Sequence, residues 1–179
     1  MKWMIASDLH GSAYYTRHLV EAHEREKPDK LLLLGDILYH GPRNDLPRDY
    51  APKEVIAMLN SLAENILCVR GNCEAEVDQM VLDFPVMADY CVLVDGNTTV
   101  YATHGHIFSE EQPPKLPKGA VLLCGHTHVP KCADHGSFRY LNPGSVSIPK
   151  EGSWHGYMIW EQDKFLWKDI DGTVQMKNP

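Results

Sequence analysis

Seven residues of this chain carry side chains able to hold a divalent ion, and they fall at the ends of five short apolar runs. Asp8 and His10 follow Trp3-Met4-Ile5-Ala6, Asp36 follows the leucines at 31–34, and Asn72 follows Ile66-Leu67-Cys68-Val69. His104 follows Val100-Tyr101-Ala102, and His126 and His128 follow Val121-Leu122-Leu123-Cys124. A lone strand-end histidine is more often a satisfied structural residue. Five such endings, most flanked by glycine, are hard to obtain by accident. Carboxylate, amide and imidazole donors without a thiolate suit Mn, Fe, Ni or Zn rather than Ca or a structural zinc. Seven donors are too many for one tetrahedral site and fit two ions sharing a bridging carboxylate. Two ions about 3.5–4 Å apart are the usual arrangement for phosphoryl-ester hydrolysis.

The elements that must position these residues can be read from patterning. Leu31-Leu32-Leu33-Leu34-Gly35-Asp36 predicts a strand buried on both faces, hence central in a sheet covered by helices. Its carboxyl end is where open α/β sheets place chemistry. Residues 2–7 predict a first strand, and on extended backbone Asp8 and His10 would project to one face. Helices are expected over 12–26, with Ser12 as cap, over 52–63, with Pro52 in the first turn, and briefly over 75–82. Asp95-Gly96-Asn97 between two β-rich runs predicts a hairpin. Further strands are expected at 66–69, 120–124 and 138–141, and the alternating tail after Tyr157 reads as terminal antiparallel strands. The proline-bearing loop 39–50 is a candidate for shaping a pocket; His40 or Arg43 could touch a substrate there, but both are read as loop packing and solvent-facing. His18 and His23 lack ligand partners and read as surface or packing residues.

Composition bounds the function. At 179 residues, with 44% hydrophobic and 23% charged residues, the chain is expected to form one domain over 1–179. A formal net charge of −7 without a Lys/Arg run gives no footprint for nucleic acid or a membrane surface. No stretch approaches the roughly 20 apolar residues of a membrane span. The first apolar run reaches Asp8 too soon for a signal peptide. Five cysteines (Cys68, Cys73, Cys91, Cys124, Cys132) form no CxxC pair and are odd in number, against a disulfide framework or a zinc ribbon. A reduced, cytoplasmic setting is the expectation.

The ordered set Asp-x-His, Gly-Asp, Gly-Asn, His-Gly-His and Gly-His-Thr-His resembles the calcineurin-like metallophosphoesterase superfamily. Ser7-Asp8-Leu9-His10-Gly11-Ser12, Val69-Arg70-Gly71-Asn72-Cys73 and Asn142-Pro143-Gly144-Ser145 resemble its small bacterial and archaeal phosphodiesterase branch. The resemblance implies an α/β fold, a four-layer α/β/β/α sandwich of two mixed sheets flanked by helices. It also implies a phosphoric diester hydrolase acting on a small phosphodiester through a hydroxide activated by a dinuclear centre. Asp8, His10 and His128 would hold one ion, Asn72, His104 and His126 the other, and Asp36 would bridge them. Mn2+ is the expected metal, with Ni2+, Zn2+ and Fe2+ also suited. His106 is expected beside the site and not as a ligand. The catalytic candidates are Asn72, Cys73 and His104.

One position departs from the commoner family pattern. Most relatives carry histidine after Gly-Asn, placed to protonate the leaving alkoxide, where this chain has Cys73. A thiol is a weak donor, and general acid–base help is worth about 10²–10⁴-fold, so modest turnover on easily leaving diesters is expected. The alternative function is a protein-binding scaffold with a retained metal site, similar to a retromer subunit. A scaffold is free to lose ligands, and here all seven positions hold competent side chains. The aromatic tail (Trp154, Tyr157, Trp160, Phe165, Trp167) reads equally as core or as a homo-oligomer interface.

Overall fold

The four-leucine run sets the architecture. In the structure, a computed structural model that describes residues 1–178, β2 (Lys30–Leu33) lies between two parallel neighbours, β1 (Trp3–Ala6) and β3 (Ile66–Cys68). The last residue of the expected domain, Pro179, lies outside the described residues. Beyond β1 the sheet continues antiparallel through β9 (Gly156–Glu161), β10 (Lys164–Asp169) and β11 (Val174–Lys177), the terminal strands expected from the alternating tail. A second, five-stranded sheet has β5 (Thr98–Thr103), β6 (Ala120–Leu123) and β8 (Phe138–Asn142) in parallel at its centre. Its antiparallel edges are β4 (Tyr90–Asp95) and β7 (Lys131–Asp134). Both sheets are mixed, as expected for the α/β sandwich.

Strand alternation explains why the runs are apolar throughout. Leu32 and Leu34, with Trp3, Ile5 and Val69, face the second sheet and pack against Val100, Ala102, Val121, Leu123 and Leu141. Leu31 and Leu33, with Met4, Ala6 and Ile66, face Leu19 and Ala22 of α1 (Ala13–Glu26) and Val55 and Leu59 of α2 (Pro52–Asn60). A strand clothed on both faces must be apolar at every position, and each large side chain so buried is worth about 1.5–3 kcal/mol. Trp160, Phe165 and Trp167 of the tail are fully buried in the layer between the sheets, so they are core. The outer face of the second sheet (Leu122, Cys124, Phe138, Tyr140) is covered thinly, with Leu116 of the loop before β6 packed on it.

Local signals account for most boundaries. Ser12 Oγ accepts the Tyr15 N–H at 3.3 Å and caps α1, which ends at Lys27 with φ 49°. α2 stops at Asn60, short of the expected 63, and a 3-10 turn over Ala63–Asn65 follows. The helix expected over 75–82 shrinks to α3 (Glu76–Gln79), because the Gln79 side chain bonds Leu82 C=O, Phe84 C=O and Val86 N–H and holds the next segment in a loop. The hairpin turns at Gly96, with φ 57°.

The six parallel strands matter most for function. Hydrogen bonds tie the first residues beyond β1 and β2 together, Asp8 N–H to Gly35 C=O at 3.1 Å and His10 N–H to Asp36 C=O at 2.9 Å. The His104 ring reaches Leu34 C=O, and Ser145 Oγ donates to Asp8 C=O at 2.8 Å. The carboxyl ends of both sheets therefore meet at one edge.

Candidate metal centre

The backbone at that edge is bent where the candidate residues stand. Asp8, His10, Asp36, His126 and His128 all have positive φ, between 49° and 67°. They are half of the ten non-glycine residues in this conformation among the described residues. L-residues adopt it at a cost, and it concentrates where function demands it. This corrects the extended geometry expected for Asp8 and His10. They leave the strand through a left-handed turn, and that turn, not strand alternation, brings their side chains together. Glycine makes room: Gly35 has φ 93°, and a Cβ on Gly71 would lie 2.2 Å from Asp36 Oδ1.

The seven side chains form two groups. In the first, His128 Nε2 lies 3.2 Å and His10 Nε2 3.6 Å from Asp8 Oδ1, and the two Nε2 atoms face each other at 3.2 Å. In the second, His104 Nε2 lies 3.2 Å from both Asn72 Oδ1 and His126 Nδ1. Asp36 stands between them, its Oδ2 being 3.8 Å from His10 Nε2 and 3.5 Å from His104 Nε2. Within each of the sets Asp8/His10/His128 and Asp36/His104/His126, one donor atom per residue falls within 4.8 Å of the others.

These residues fit a cation. His10, His104 and His128 each donate Nδ1–H to a backbone carbonyl, of Tyr39, Leu34 and Ile148 respectively, at 2.6–2.8 Å. That fixes the tautomer and leaves three bare Nε2 lone pairs pointing inward. Asp8 Oδ1, fully buried, has no hydrogen-bond partner among the described residues. Facing lone pairs around an unpartnered carboxylate oxygen are costly unless a positive charge joins them. The electrostatics show the same demand for positive charge, which protons on the histidines supply when no ion is bound. Burial would push Asp8 up, but His10 and His128 outweigh it and hold it well below the usual carboxylate range. Asp36, opposed by the same burial, is lowered by His104. Burial works against the His104 cation, yet Asp36 and Asp8 carry it up to about 9. His126 is driven down to about 4 by burial and then by His104.

Two supporting features escape a reading of the sequence for ligands. Glu74, 8% exposed, accepts the N–H groups of Asp36, Ile37 and Gly71, and so clamps the turn after β2 to the turn after β3. Burial pushes its carboxyl up. An acid two residues past Asn72 was its only signal. Ser145 and Ser147 both donate to Asp8 C=O and fix the turn after β1.

A cavity of about 390 Å³ opens over Asp36, Asn72, His126 and His128, and Cys73, Arg43 and Lys150 are in its wall. The loop 39–50 shapes it, as expected. His40 packs between the Tyr39 and Tyr50 rings, whereas Arg43 is exposed and stands in the cavity wall. The His106 ring centroid lies 5.4 Å from that of His104, and His106 belongs to neither donor set. Cys73 is half-buried. Its N–H donates to Asp36 Oδ1 at 3.0 Å, and burial followed by Asp36 pushes its thiol far up. All five cysteines are free.

Comparison with known proteins agrees with the geometry. The family model described as calcineurin-like phosphoesterase superfamily domain matches residues 1–164. The chain is 44% identical over 163 residues to phosphodiesterase YfcE of Escherichia coli K12, covering 91% of this chain and 89% of that protein. The solved structure of YfcE, a phosphoesterase from E. coli, superposes with a TM-score of 0.96 at 41% identity, covering 99% and 98% of the two chains. Vps29 from Entamoeba histolytica shares the fold, with a TM-score of 0.66 at 18% identity over 99% of this chain and 98% of that one.

Proposed function

This chain belongs to the calcineurin-like phosphoesterase superfamily, and from that premise we propose that it is a phosphodiesterase working with two divalent ions, Mn2+ foremost. One domain, residues 1–179, would perform the reaction. The observation that carries this reading is the pair of donor groups meeting at Asp36, with an unpartnered buried oxygen on Asp8. Asp8, His10 and His128 would hold one ion and Asn72, His104 and His126 the other, with Asp36 shared. Bound there, the ions would activate water for attack on phosphorus and neutralise charge on the non-bridging oxygens.

The chain's own side chains do the remaining work. The three histidines are anchored through Nδ1, so each would turn Nε2 toward an ion and the centre is preorganised. Asp36 is held in place by the Cys73 N–H on Oδ1 and by Glu74 on the backbone beside it. Asn72 stands exposed at the cavity mouth and reaches the substrate side. Cys73 keeps its proton on Sγ and is a poor acid for a departing alkoxide, which favours diesters that leave as stable anions. A scaffold reading gains nothing from a site that keeps all seven donors.

The test is hydrolysis of bis-p-nitrophenyl phosphate by metal-stripped protein, before and after Mn, Ni, Zn or Mg is added, with the monoester in parallel. Metal-restored diester cleavage that disappears in Asp36→Asn supports the proposal. Two bound metals without turnover would reject it.

A further inference from the structure

Two cations in the cavity wall, Arg43 and Lys150, have no part in holding metal. Both are exposed, and among the described residues neither side chain forms an ion pair or hydrogen bond. Some long cations of this acidic chain are paired, Arg17 with Glu54, Arg70 with Asp89, Lys131 with Glu110 and Lys168 with Glu26; what sets Arg43 and Lys150 apart is that both stand in the wall of the cavity over the donor groups. The acid in the cavity lining, Asp36, is already engaged by the Cys73 N–H and lies nearest His104 and His10.

Each cation is delivered by a segment stapled to a donor histidine. His10 Nδ1–H donates to Tyr39 C=O at 2.8 Å, and four residues on Arg43 sits in a turn closed by Asn44. In that turn Asn44 N–H reaches Gly41 C=O at 3.3 Å and Asn44 Nδ2 reaches His40 C=O at 2.9 Å. His128 Nδ1–H donates to Ile148 C=O at 2.7 Å, and two residues on the Lys150 N–H returns to His128 C=O at 3.1 Å. Lys150 C=O then accepts from both N–H and Oγ of Ser153. Both cations are thus held in register with the Asp8/His10/His128 group, from two different loops. The wall contains no Phe, Tyr, Trp, Leu, Ile, Val or Met, so it offers no apolar floor for a lipid tail. What remains chemically is an anion site: a guanidinium fork and an ammonium beside Asn44 and Thr127.

We infer that Arg43 and Lys150 form an anion subsite on the Asp8/His10/His128 side of the cavity. The preferred substrates are small phosphodiesters that carry a second anionic group, a phosphate or a carboxylate, on one arm. The inference rests on the diesterase reading and names its substrate class.

The test uses the full Mn-loaded chain and three p-nitrophenyl diesters whose second arm is butyl, 3-carboxypropyl or 3-phosphonopropyl. The wild type is expected to show a KM about tenfold lower for an anionic arm than for butyl, at similar kcat, a gain in keeping with two partly screened ion pairs. The phosphonate and carboxylate arms decide which anion the subsite prefers. Arg43→Ala and Lys150→Ala should each erase most of that advantage while butyl turnover stays within twofold. The charge-retaining Arg43→Lys and Lys150→Arg should restore part of it, and raising salt should shrink it. Equal KM for all arms, or a preference for butyl, with brisk turnover would overturn the subsite and leave the diesterase reading standing. No turnover of any arm would overturn both.

Discussion

The first strand has a buried carboxylate cluster beyond each of its ends, and the two are built on opposite logic. At the amino end, Glu26, whose side chain is 9% exposed, meets Lys2 at 3.2 Å, Lys168 at 2.7 Å and the Tyr157 hydroxyl at 2.9 Å. Both of its oxygens have donors, supplied by side chains with permanent charge or a fixed proton. At the carboxyl end, Asp8 and Asp36 face histidines whose other ring nitrogen is tied to a carbonyl, on left-handed backbone, with one oxygen left without a donor. The first cluster is complete within the chain. The second leaves an oxygen without a donor and fits a cation from outside. Buried acids are therefore not equivalent markers of function. The partner type separates a structural cluster from a metal centre.

The sharpest way to break the contrast is to remove charge from each end. Asp8→Asn keeps an acceptor for the His126 N–H, now 3.0 Å from Asp8 Oδ2, and loses the anion. Metal-dependent diester turnover should fall by about 10³-fold, about 4 kcal/mol of transition-state stabilisation. The rise in melting temperature on adding Mn to stripped protein should shrink sharply, because the anion that would share the ion's charge is gone. Calorimetry of the variant with and without Mn alongside kinetics checks both halves. An undiminished rise with Mn would mean that Asp8 is structural, like Glu26.

A smaller effect is expected one layer out. Glu74→Gln leaves one carbonyl oxygen for three backbone N–H groups, so the Gly35-Asp36 turn loosens against Gly71. Changes to such supporting partners typically cost about 10–100-fold in metal affinity or activity. A Mn titration of turnover should therefore need more metal in this variant and recover much of the rate at saturation. A loss that saturating Mn leaves untouched would place Glu74 in the chemistry rather than in positioning.

The difference between the clusters also explains what could be read from the sequence. Leu31–Leu34 and the Asp95-Gly96-Asn97 turn announced their elements, because strand burial and hairpin geometry are local constraints on residue type. Strand β7 was missed, since Lys131 and Asp134 at its ends carry the polar face of an edge and not a buried run. The seven donors were legible as strand endings, since their types are chemically rare in such places. Their geometry was not, because left-handed φ at Asp8 and His10 depends on contacts with Gly35 and Asp36 from another strand. Glu26 was invisible, and Glu74 nearly so, for the same reason: a buried acid is defined by what reaches it, and Lys168 reaches Glu26 from 142 residues away.

The mildest expected effect belongs to the amino-terminal cluster, and it carries a sign that tests the contrast. Burial pushes Glu26 up, but Lys168, Tyr157 and Lys2 outweigh it and set its carboxyl below the ordinary value of 4.5. An acid whose folded pKa is depressed adds stability above its unfolded pKa, and that share disappears as pH falls through the folded value. The Glu26 contribution should thus be whole at pH 6–7 and fade below about 4.5. Glu26→Gln should cost about 1 kcal/mol near neutrality, allowing for solvent screening of the two lysines, and almost nothing at the acid end of that window. Diester turnover with saturating Mn should be unchanged, because Glu26 touches no donor of the metal centre. Urea unfolding of wild type and variant at a series of pH values reads the difference directly. If the two stability curves stay parallel down through the acid range, the lysines are not what holds Glu26, and the self-sufficient cluster is no such thing.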